Sequence, residues 1–195
     1  MSAEFRERMQ TTIAHRPKAH LKGTRLWWSF AAAAALVILL VTVSITVLTR
    51  NTDRNQAVGE LLDQHVATMA SANPVDVVST DRHTVKPWFQ GKIPFTFNLP
   101  ELQDSPYKLL GGKLVYFKHN PGAQLLFELH KHQLSVFIVQ DSPNGIPFEA
   151  SVASTSEKGF SVESWSQAGL RYVVISDAVP ADVHGLGELL RGAGR

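Results

Sequence analysis

Between Leu26 and Thr49 the chain carries no charged residue for 24 consecutive positions. As an α-helix this run, LWWSFAAAAALVILLVTVSITVLT, would be about 36 Å long, which exceeds the roughly 30 Å of a bilayer's hydrocarbon core. A helix in the core of a soluble protein is rarely apolar on every face over such a length. We therefore interpret residues 26–49 as a transmembrane helix.

The residues that flank the run favour an uncleaved anchor over a signal peptide. Trp27 and Trp28 lie at its start, and Arg25 and Arg50 stand at its two ends, as is typical of membrane interfaces. Signal peptides have shorter apolar regions, of about 7 to 15 residues, followed by a small-residue cleavage site. The sequence VLTRNTDR at the end of the run is a poor cleavage site.

The distribution of charge predicts the orientation. Residues 1–25 contain six basic residues and only two acidic ones. On the far side of the run, the nearby basic residues are only Arg50 and Arg54. Basic residues are enriched on the cytoplasmic side and favour anionic membrane lipid, so residues 1–25 are predicted to be a short cytoplasmic tail. The net charge of +2 and its position give no indication of nucleic-acid binding. The basic residues of the tail are Arg6, Arg8, Arg16, Lys18, Lys22 and Arg25.

The tail and the segment after the run each carry a helical pattern. Phe5, Met9 and Ile13 would share one face of a short helix, although a disordered tail is an equal alternative. From Asn51 to Asn73, apolar residues recur at spacings of three and four, which indicates an amphipathic helix that could begin with a cap at 51–53 and end at Asn73-Pro74. These apolar residues are Val58, Leu61, Leu62, Val66 and Met69.

After Pro74 the pattern changes to short segments rich in β-branched and aromatic residues, which predict strands. Short links, at Asn120-Pro121-Gly122, Lys131 to Gln133 and Ala168-Gly169, require antiparallel neighbours and hence a meander. Residues 180–192 predict a final helix, and residues 141–158 a polar loop with a strand-like middle. The predicted strands are 113–119, 123–130, 134–140, 159–167 and 170–177.

The predicted fold class is therefore α+β, with one N-terminal transmembrane helix and a small extracytoplasmic domain in which helices flank an antiparallel meander sheet. Its organisation is a cytoplasmic tail (1–25), a transmembrane helix (26–49), a juxtamembrane helix or linker (50–74) and the extracytoplasmic domain (75–195).

No motif predicts an enzyme or a cofactor site. The chain lacks a nucleophile elbow, a phosphate loop and a metalloprotease helix. Gly111-Gly112-Lys113 lacks the rest of a phosphate loop, and GLGELLRG (185–192) lacks the third glycine of a dinucleotide motif. Asp81 and His83 could form a general-base pair, but nothing marks a nucleophile beside them.

Eight histidines raise the possibility of a metal site, whereas the chain has no cysteine. His130 and His132, two positions apart on a strand, would face the same way and could bind zinc or copper. No third ligand is set by spacing, and histidines in turns are commonly just solvated. We predict no metal site.

The stretch DRHTVKPWFQGKIPFTFNLP (81–100) concentrates imidazole, ammonium and aromatic groups. Lys86 precedes a proline and is expected to be extended, so the sequence predicts a long, irregular strap anchored by aromatic rings. The anchoring rings would be Trp88, Phe89, Phe95 and Phe97. The candidate recognition surface is His83, Lys86, Trp88 and Lys92; a purely structural role, with aromatic anchors and solvated charges, is the alternative.

Four ordered segments resemble the extracytoplasmic domain of bacterial single-pass transmembrane anti-sigma factors: DRHTVKPWFQGKIPFTFNLPEL, LLGGKLVYF, LHKHQLSVFI and GFSVESWSQAGLRYVVISD. The resemblance covers residues 81–191. The matching positions are His83 to Phe89, Gly91, Lys92, Gly111, Gly112, Leu114, Trp165, Ser166, Gln167, Gly169, Ser176 and Asp177.

The resemblance implies a regulator in the bacterial inner membrane, with a periplasmic sensor domain and a cytoplasmic sigma factor as its transcription partner. Many members carry an inner zinc-binding helix with His-x-x-x-Cys-x-x-Cys, which this cysteine-free chain lacks. The alternative is a membrane-anchored periplasmic module that binds an envelope protein or ligand but no sigma factor.

Overall fold

The computed structural model describes residues 24–141 and 153–194 and shows an α+β chain. It divides into two units, Met1–Val47 and Leu48–Arg195. The predicted tail helix at 4–13 lies outside the described residues, as does most of the predicted loop at 141–158.

Helix α1 (Thr24–Met69) is a single helix of 46 residues. Its described part from Ala33 onward contains a window with a mean hydropathy of 2.2, and by length and composition it is apolar enough to cross a membrane. Large apolar side chains from Leu36 to Leu48 are at least half exposed. The helix continues through residues 51–53, so no new helix starts there, and it ends four residues before Asn73.

Within the second unit, the last three turns of α1 pack against the sheet. Ala57, Val58, Leu61 and Leu62 are buried there, which confirms the spacing of apolar residues as a packing face. Val66 and Met69, assigned to that same face by the spacing, are partly exposed instead. His65 and Thr68 take the buried positions at this level.

Seven antiparallel strands form one sheet in the order β1-β2-β3-β4-β7-β6-β5. Strands β1 to β4 follow one another, as do β5 to β7, and β7 pairs with β4 to join the two meanders. The strands are β1 (Val77–Val78), β2 (Lys108–Phe117), β3 (Asn120–Leu129), β4 (His132–Gln140), β5 (Ala153–Glu157), β6 (Phe160–Gln167) and β7 (Leu170–Ser176).

Both faces of the sheet are covered. Helix α1 lies on one face, while the other packs against helices α2 (Arg82–Trp88) and α3 (Pro180–Ala193) and the segment between α2 and β2. Because side chains alternate along a strand, strands buried on both sides read as nearly continuous apolar runs. In β4, one face carries the side chains of Leu134, Val136 and Ile138. The opposite face carries those of Ser135, Phe137 and Val139.

The hairpin turns confirm some predictions and correct others. Ala168 and Gly169 both have positive φ and form the predicted turn between β6 and β7. The turn between β2 and β3 lies at Lys118 and His119, whose φ values are 45° and 67°, and not at Asn120-Pro121-Gly122. Pro121 lies within β3, opposite Tyr116, because Lys118 and His119 make the left-handed turn without it.

Candidate functional site

Helix α2 replaces the extended strap predicted for the start of residues 81–100. The Asp81 side chain caps it by accepting a hydrogen bond from the backbone N–H of His83 at 2.8 Å. Lys86 is helical although Pro87 follows it. The helical turn buries Val85 and Phe89 against the sheet, and this apolar burial outweighs the conformational cost of the residue before proline.

Trp88 and Lys92 form one half of the predicted recognition surface, but they contact each other. The Lys92 ammonium lies 4.0 Å from the centre of the Trp88 ring and also donates to the Trp88 carbonyl oxygen. The Trp88 ring is half-buried and meets Phe89 edge-on at 5.0 Å. Phe89 in turn meets Phe97 at 5.4 Å, so this half anchors the segment to the core.

His83 and Lys86, the other half, line open clefts on the surface of α2. The Lys86 cleft, of about 390 Å³, also has Arg82, Pro87, Asn98, Leu99 and Ala193 in its walls. The Tyr107 cleft, of about 360 Å³, adjoins it and shares Arg82, His83 and Leu99. The structure therefore places His83 and Lys86 on adjoining clefts, whereas Trp88 and Lys92 contact each other outside the residues that line these clefts.

Hydrogen bonds give the clefts a defined shape. Arg82 forms an ion pair with Glu101 and also donates from Nη1 to the Leu99 carbonyl oxygen at 3.2 Å. The Lys86 Nζ atom donates to Asn98 Oδ1 at 2.9 Å. These contacts hold the segment 98–101 against α2, and both clefts lie along this junction.

Tyr107 closes the far side of its cleft. Its hydroxyl donates to the Asp182 carbonyl oxygen in α3 at 2.7 Å. Burial raises the pKa of the Tyr107 phenol, with a further contribution from the nearby Asp182 carboxylate. The phenol is thus a neutral hydrogen-bond donor that ties the residue before β2 to α3.

On the opposite face of the sheet, a buried polar network joins α1 to β3 and β4. His65 Nδ1 lies 2.7 Å from Ser135 Oγ, and Gln124 Nε2 donates to both Ser135 Oγ and Thr68 Oγ1. Lys113 Nζ donates to Thr68 Oγ1 at 2.7 Å. Burial lowers the pKa of His65 to about 4 and lowers that of Lys113 as well.

Another buried polar cluster lies between β6 and α3. The Glu163 carboxylate, on β6, accepts from Arg191 Nη1 at 2.7 Å and lies 3.0 Å from His184 Nδ1. The Arg191 guanidinium also lies 4.7 Å from the centre of the Trp165 ring. This arrangement satisfies a buried carboxylate with charge-assisted hydrogen bonds, as such a group requires.

The remaining sequence candidates have structural positions. His130 lies in the turn between β3 and β4, with φ of 55°, whereas His132 begins β4 and lies 3.0 Å from Asp177. The two histidines therefore do not lie on the same strand, contrary to the sequence prediction. Within residues 24–141 and 153–194, no group of three metal-ligating side chains occurs. Asp81 contacts the backbone of His83, as a helix cap, and not its imidazole.

Several residues that carry the family resemblance serve the fold. Gly111 has φ of 149° at a bulge in β2, where β1 passes so close that a Cβ would meet the Val77 carbonyl oxygen. Gly112 faces the Phe89 ring, which would lie 2.9 Å from a Cβ. Trp165 stacks on Tyr172 at 5.1 Å. Ser176 Oγ donates to the Gln133 carbonyl oxygen.

Sequence reasoning missed Arg82, Asn98 and Leu99 as cleft residues and missed the polar network around His65. The spacing of Arg82 and Lys86, four positions apart, would have placed them on one helix face had a helix been predicted. The histidine in the middle of the α1 packing face was a visible signal for a buried polar contact. No local pattern pointed to its partner Ser135, or to Gln124, which donates to Ser135 from a different strand.

Comparisons with known proteins do not add a family. No protein-family model matches the chain, and no curated protein matches it at a significant level.

Proposed function

We propose that this protein is a single-pass membrane regulator whose outer α+β domain binds a ligand or envelope protein and thereby controls the short cytoplasmic tail. The observation that carries the proposal is the composition of α1. The same helix contains the uncharged run of residues 26–49 and the buried face at 57–68 that completes the folded domain. In this proposal the uncharged run is the membrane span, and the buried face belongs to the outer domain.

The proposed location is the bacterial inner membrane, with the N-terminus in the cytoplasm and residues from Arg50 onward in the periplasm. The excess of basic residues before the run supports this orientation. The proposed cytoplasmic partner is a sigma factor, which is supported by the ordered motifs between His83 and Asp177. The protein itself performs no chemistry in this proposal; it acts through binding and a change of conformation or through proteolysis.

A second candidate is a membrane-anchored periplasmic binding module that has no sigma-factor partner. The absence of cysteine from the chain favours it, because the zinc-binding helix of many anti-sigma factors requires two cysteines. The two candidates share the membrane topology and the outer cleft, and they differ only in what the tail binds.

The topology can be tested on a background free of native thiols, since the chain has no cysteine. Ser2→Cys places a thiol in the tail, and Ser156→Cys places one at an exposed position of β5. In cells with a permeabilised outer membrane, a membrane-impermeant maleimide should label Ser156→Cys at once and Ser2→Cys only after lysis. The reverse order, or labelling of both before lysis, would contradict the proposed orientation.

The partner is tested by site-specific crosslinking in living cells. A photoreactive amino acid in place of Met9 lies in the tail, and the same amino acid in place of the exposed Tyr116 serves as the control on the outer domain. A sigma factor crosslinked from position 9 and not from position 116 is the expected result. If position 9 yields no sigma factor while position 116 yields envelope proteins, the second candidate function is correct.

A further inference from the structure

The Lys86 cleft has an unusual balance of charge. Arg82, His83 and Lys86 extend into it from α2, because residues three and four apart share a face of a helix. The other walls are the neutral residues Pro87, Asn98, Leu99 and Ala193. Among the described residues that line this cleft, basic side chains are present and carboxylates are absent.

The partners of these basic groups leave the cleft positive. Arg82 forms an ion pair with Glu101, which lines the Tyr107 cleft and not this one. Lys86 has a neutral partner, the amide oxygen of Asn98, and within the described ranges no carboxylate lies within ion-pair distance of its ammonium. An exposed ammonium held by an amide can accept an anionic ligand without breaking an ion pair.

The Tyr107 cleft combines polar residues, among them Asp81, Glu101 and Lys108, with an apolar part. Leu99, Leu102, Leu109 and Phe127 contribute to its walls, and Leu109 and Phe127 belong to the buried core. It opens beside the Lys86 cleft at the shared residues Arg82, His83 and Leu99. Together the two volumes, each between about 300 and 400 Å³, are in the range of small-molecule sites.

We propose that these adjoining clefts bind a small organic anion, with its carboxylate or phosphate group at Lys86 and its apolar part in the Tyr107 cleft. This inference names a ligand class for the outer domain and so rests on the proposed sensor function. Binding is measured in the absence of any cytoplasmic partner, so a negative result counts against the ligand class and leaves the partner proposal untouched.

The test uses the full chain in lipid nanodiscs with empty nanodiscs as the reference. Phenyl phosphate and benzoate present the two anionic groups on the same ring, benzamide is the neutral counterpart, and inorganic phosphate is the anionic group alone. Saturation-transfer NMR of each probe gives its dissociation constant. We expect at least one aromatic anion to bind about tenfold or more tightly than benzamide, as a charge-assisted hydrogen bond implies.

Comparing the two anions identifies the preferred group, and inorganic phosphate shows how much the ring contributes. Lys86→Gln should weaken binding of the preferred anion by about tenfold, whereas Lys86→Arg, which keeps the charge, should retain it within about threefold. Lys131→Gln, in the exposed turn between β3 and β4, is the matched control and should have no effect. Thermal melts establish that each variant is folded.

The proposal is overturned if benzamide binds as tightly as the anions, or if a folded Lys86→Gln variant binds the anions as tightly as the parent chain. It is also overturned if no anion binds the loaded nanodiscs more than the empty ones. Binding of inorganic phosphate as tight as that of phenyl phosphate would overturn the part of the proposal that assigns an apolar moiety to the Tyr107 cleft.

Discussion

His65 Nδ1 lies 2.7 Å from the hydroxyl oxygen of Ser135, at a fully buried contact between α1 and β4. The other ring nitrogen, Nε2, has no hydrogen-bond partner among the described residues, and the ring meets Phe160 edge-on at 5.5 Å. A protonated imidazole would need a second acceptor at Nε2. The contact therefore favours the neutral form, and the stability of the outer domain is linked to pH.

The pH dependence has a definite sign. The pKa of His65 falls from 6.5 to about 4 in the fold, because burial disfavours the cation more than Asp177 favours it. The unfolded chain therefore takes up a proton that the folded chain excludes. We expect the free energy of unfolding to fall as the pH drops from about 6.5 to about 4, by at most roughly 3 kcal/mol. Urea unfolding of the detergent-solubilised chain, followed by tryptophan fluorescence, measures it.

The control for this prediction is a variant that cannot titrate at the same position. His65→Gln should lose most of the difference in stability between pH 6.5 and pH 4.5, while His83→Gln, at an exposed position, should keep it. Asp177 is the charged group that acts on the His65 imidazole, and Lys113 joins the same network through Thr68; both remain in either variant. An equal pH dependence in the parent chain and His65→Gln would assign the effect to other groups.

Two neighbouring aromatic residues should differ in their contribution to stability. Phe89 is only 2% exposed and contacts the core, so Phe89→Ala should lower the free energy of unfolding by about 3 to 5 kcal/mol. Trp88 is half-buried, and Trp88→Ala should cost less, about 1 to 3 kcal/mol. Equilibrium unfolding of the two variants under one condition ranks them; a larger loss at Trp88 would contradict the structure.

Gly111 and Gly91 give a matched test of the bulge in β2. Both have positive φ, but a Cβ at Gly91 meets nothing within 4 Å whereas one at Gly111 meets the backbone of Val77. Gly91→Ala should cost about 1 kcal/mol from backbone strain alone, and Gly111→Ala should cost at least about 1 kcal/mol more. Hydrogen exchange should accelerate at the Asp76 and Ser79 amides, which donate to β2, only in Gly111→Ala.

The buried ion pair beneath α3 predicts a non-additive result. Glu163→Leu removes the buried carboxylate partner of Arg191, which keeps only the exposed Glu188 as a carboxylate partner among the described residues, and should destabilise the domain by about 3 kcal/mol. Adding Arg191→Met to Glu163→Leu removes both charges and should recover most of that loss. A double-mutant cycle on unfolding free energies measures the coupling; purely additive losses would show that the two groups act independently.

Five strands and the last helix followed from local sequence, since β-branched segments and the Ala168-Gly169 turn carry their own conformational preferences. Strand β1 was not predicted, and β5 was predicted only as the strand-like middle of a loop. The antiparallel pairing followed from the short links. The pairing of β7 with β4 could not be predicted, because it joins segments separated by the long region before β5 and depends on the order in which two meanders meet.

The error at α2 has a clear physical cause. The preference of the residue before a proline for an extended conformation is a local energy of limited size. For Lys86 it does not include the packing of neighbouring residues on the sheet. The burial of Val85 and Phe89 on the sheet is a tertiary term and exceeds it. Of the four predicted recognition residues, His83 and Lys86 line clefts, while Trp88 and Lys92 contact each other; their recognition role stays a prediction.

The position of β7 in the sheet has a consequence for biogenesis. Strand β4 is synthesised before β7, its partner on one side, so one hydrogen-bonding edge of β4 is unpaired until β7 has been made. Such an edge is a template for association with other chains. A nascent or clipped molecule that ends before Leu170 would display it permanently. We therefore expect incomplete molecules to depend on chaperones and to be selected for degradation, while complete molecules are spared.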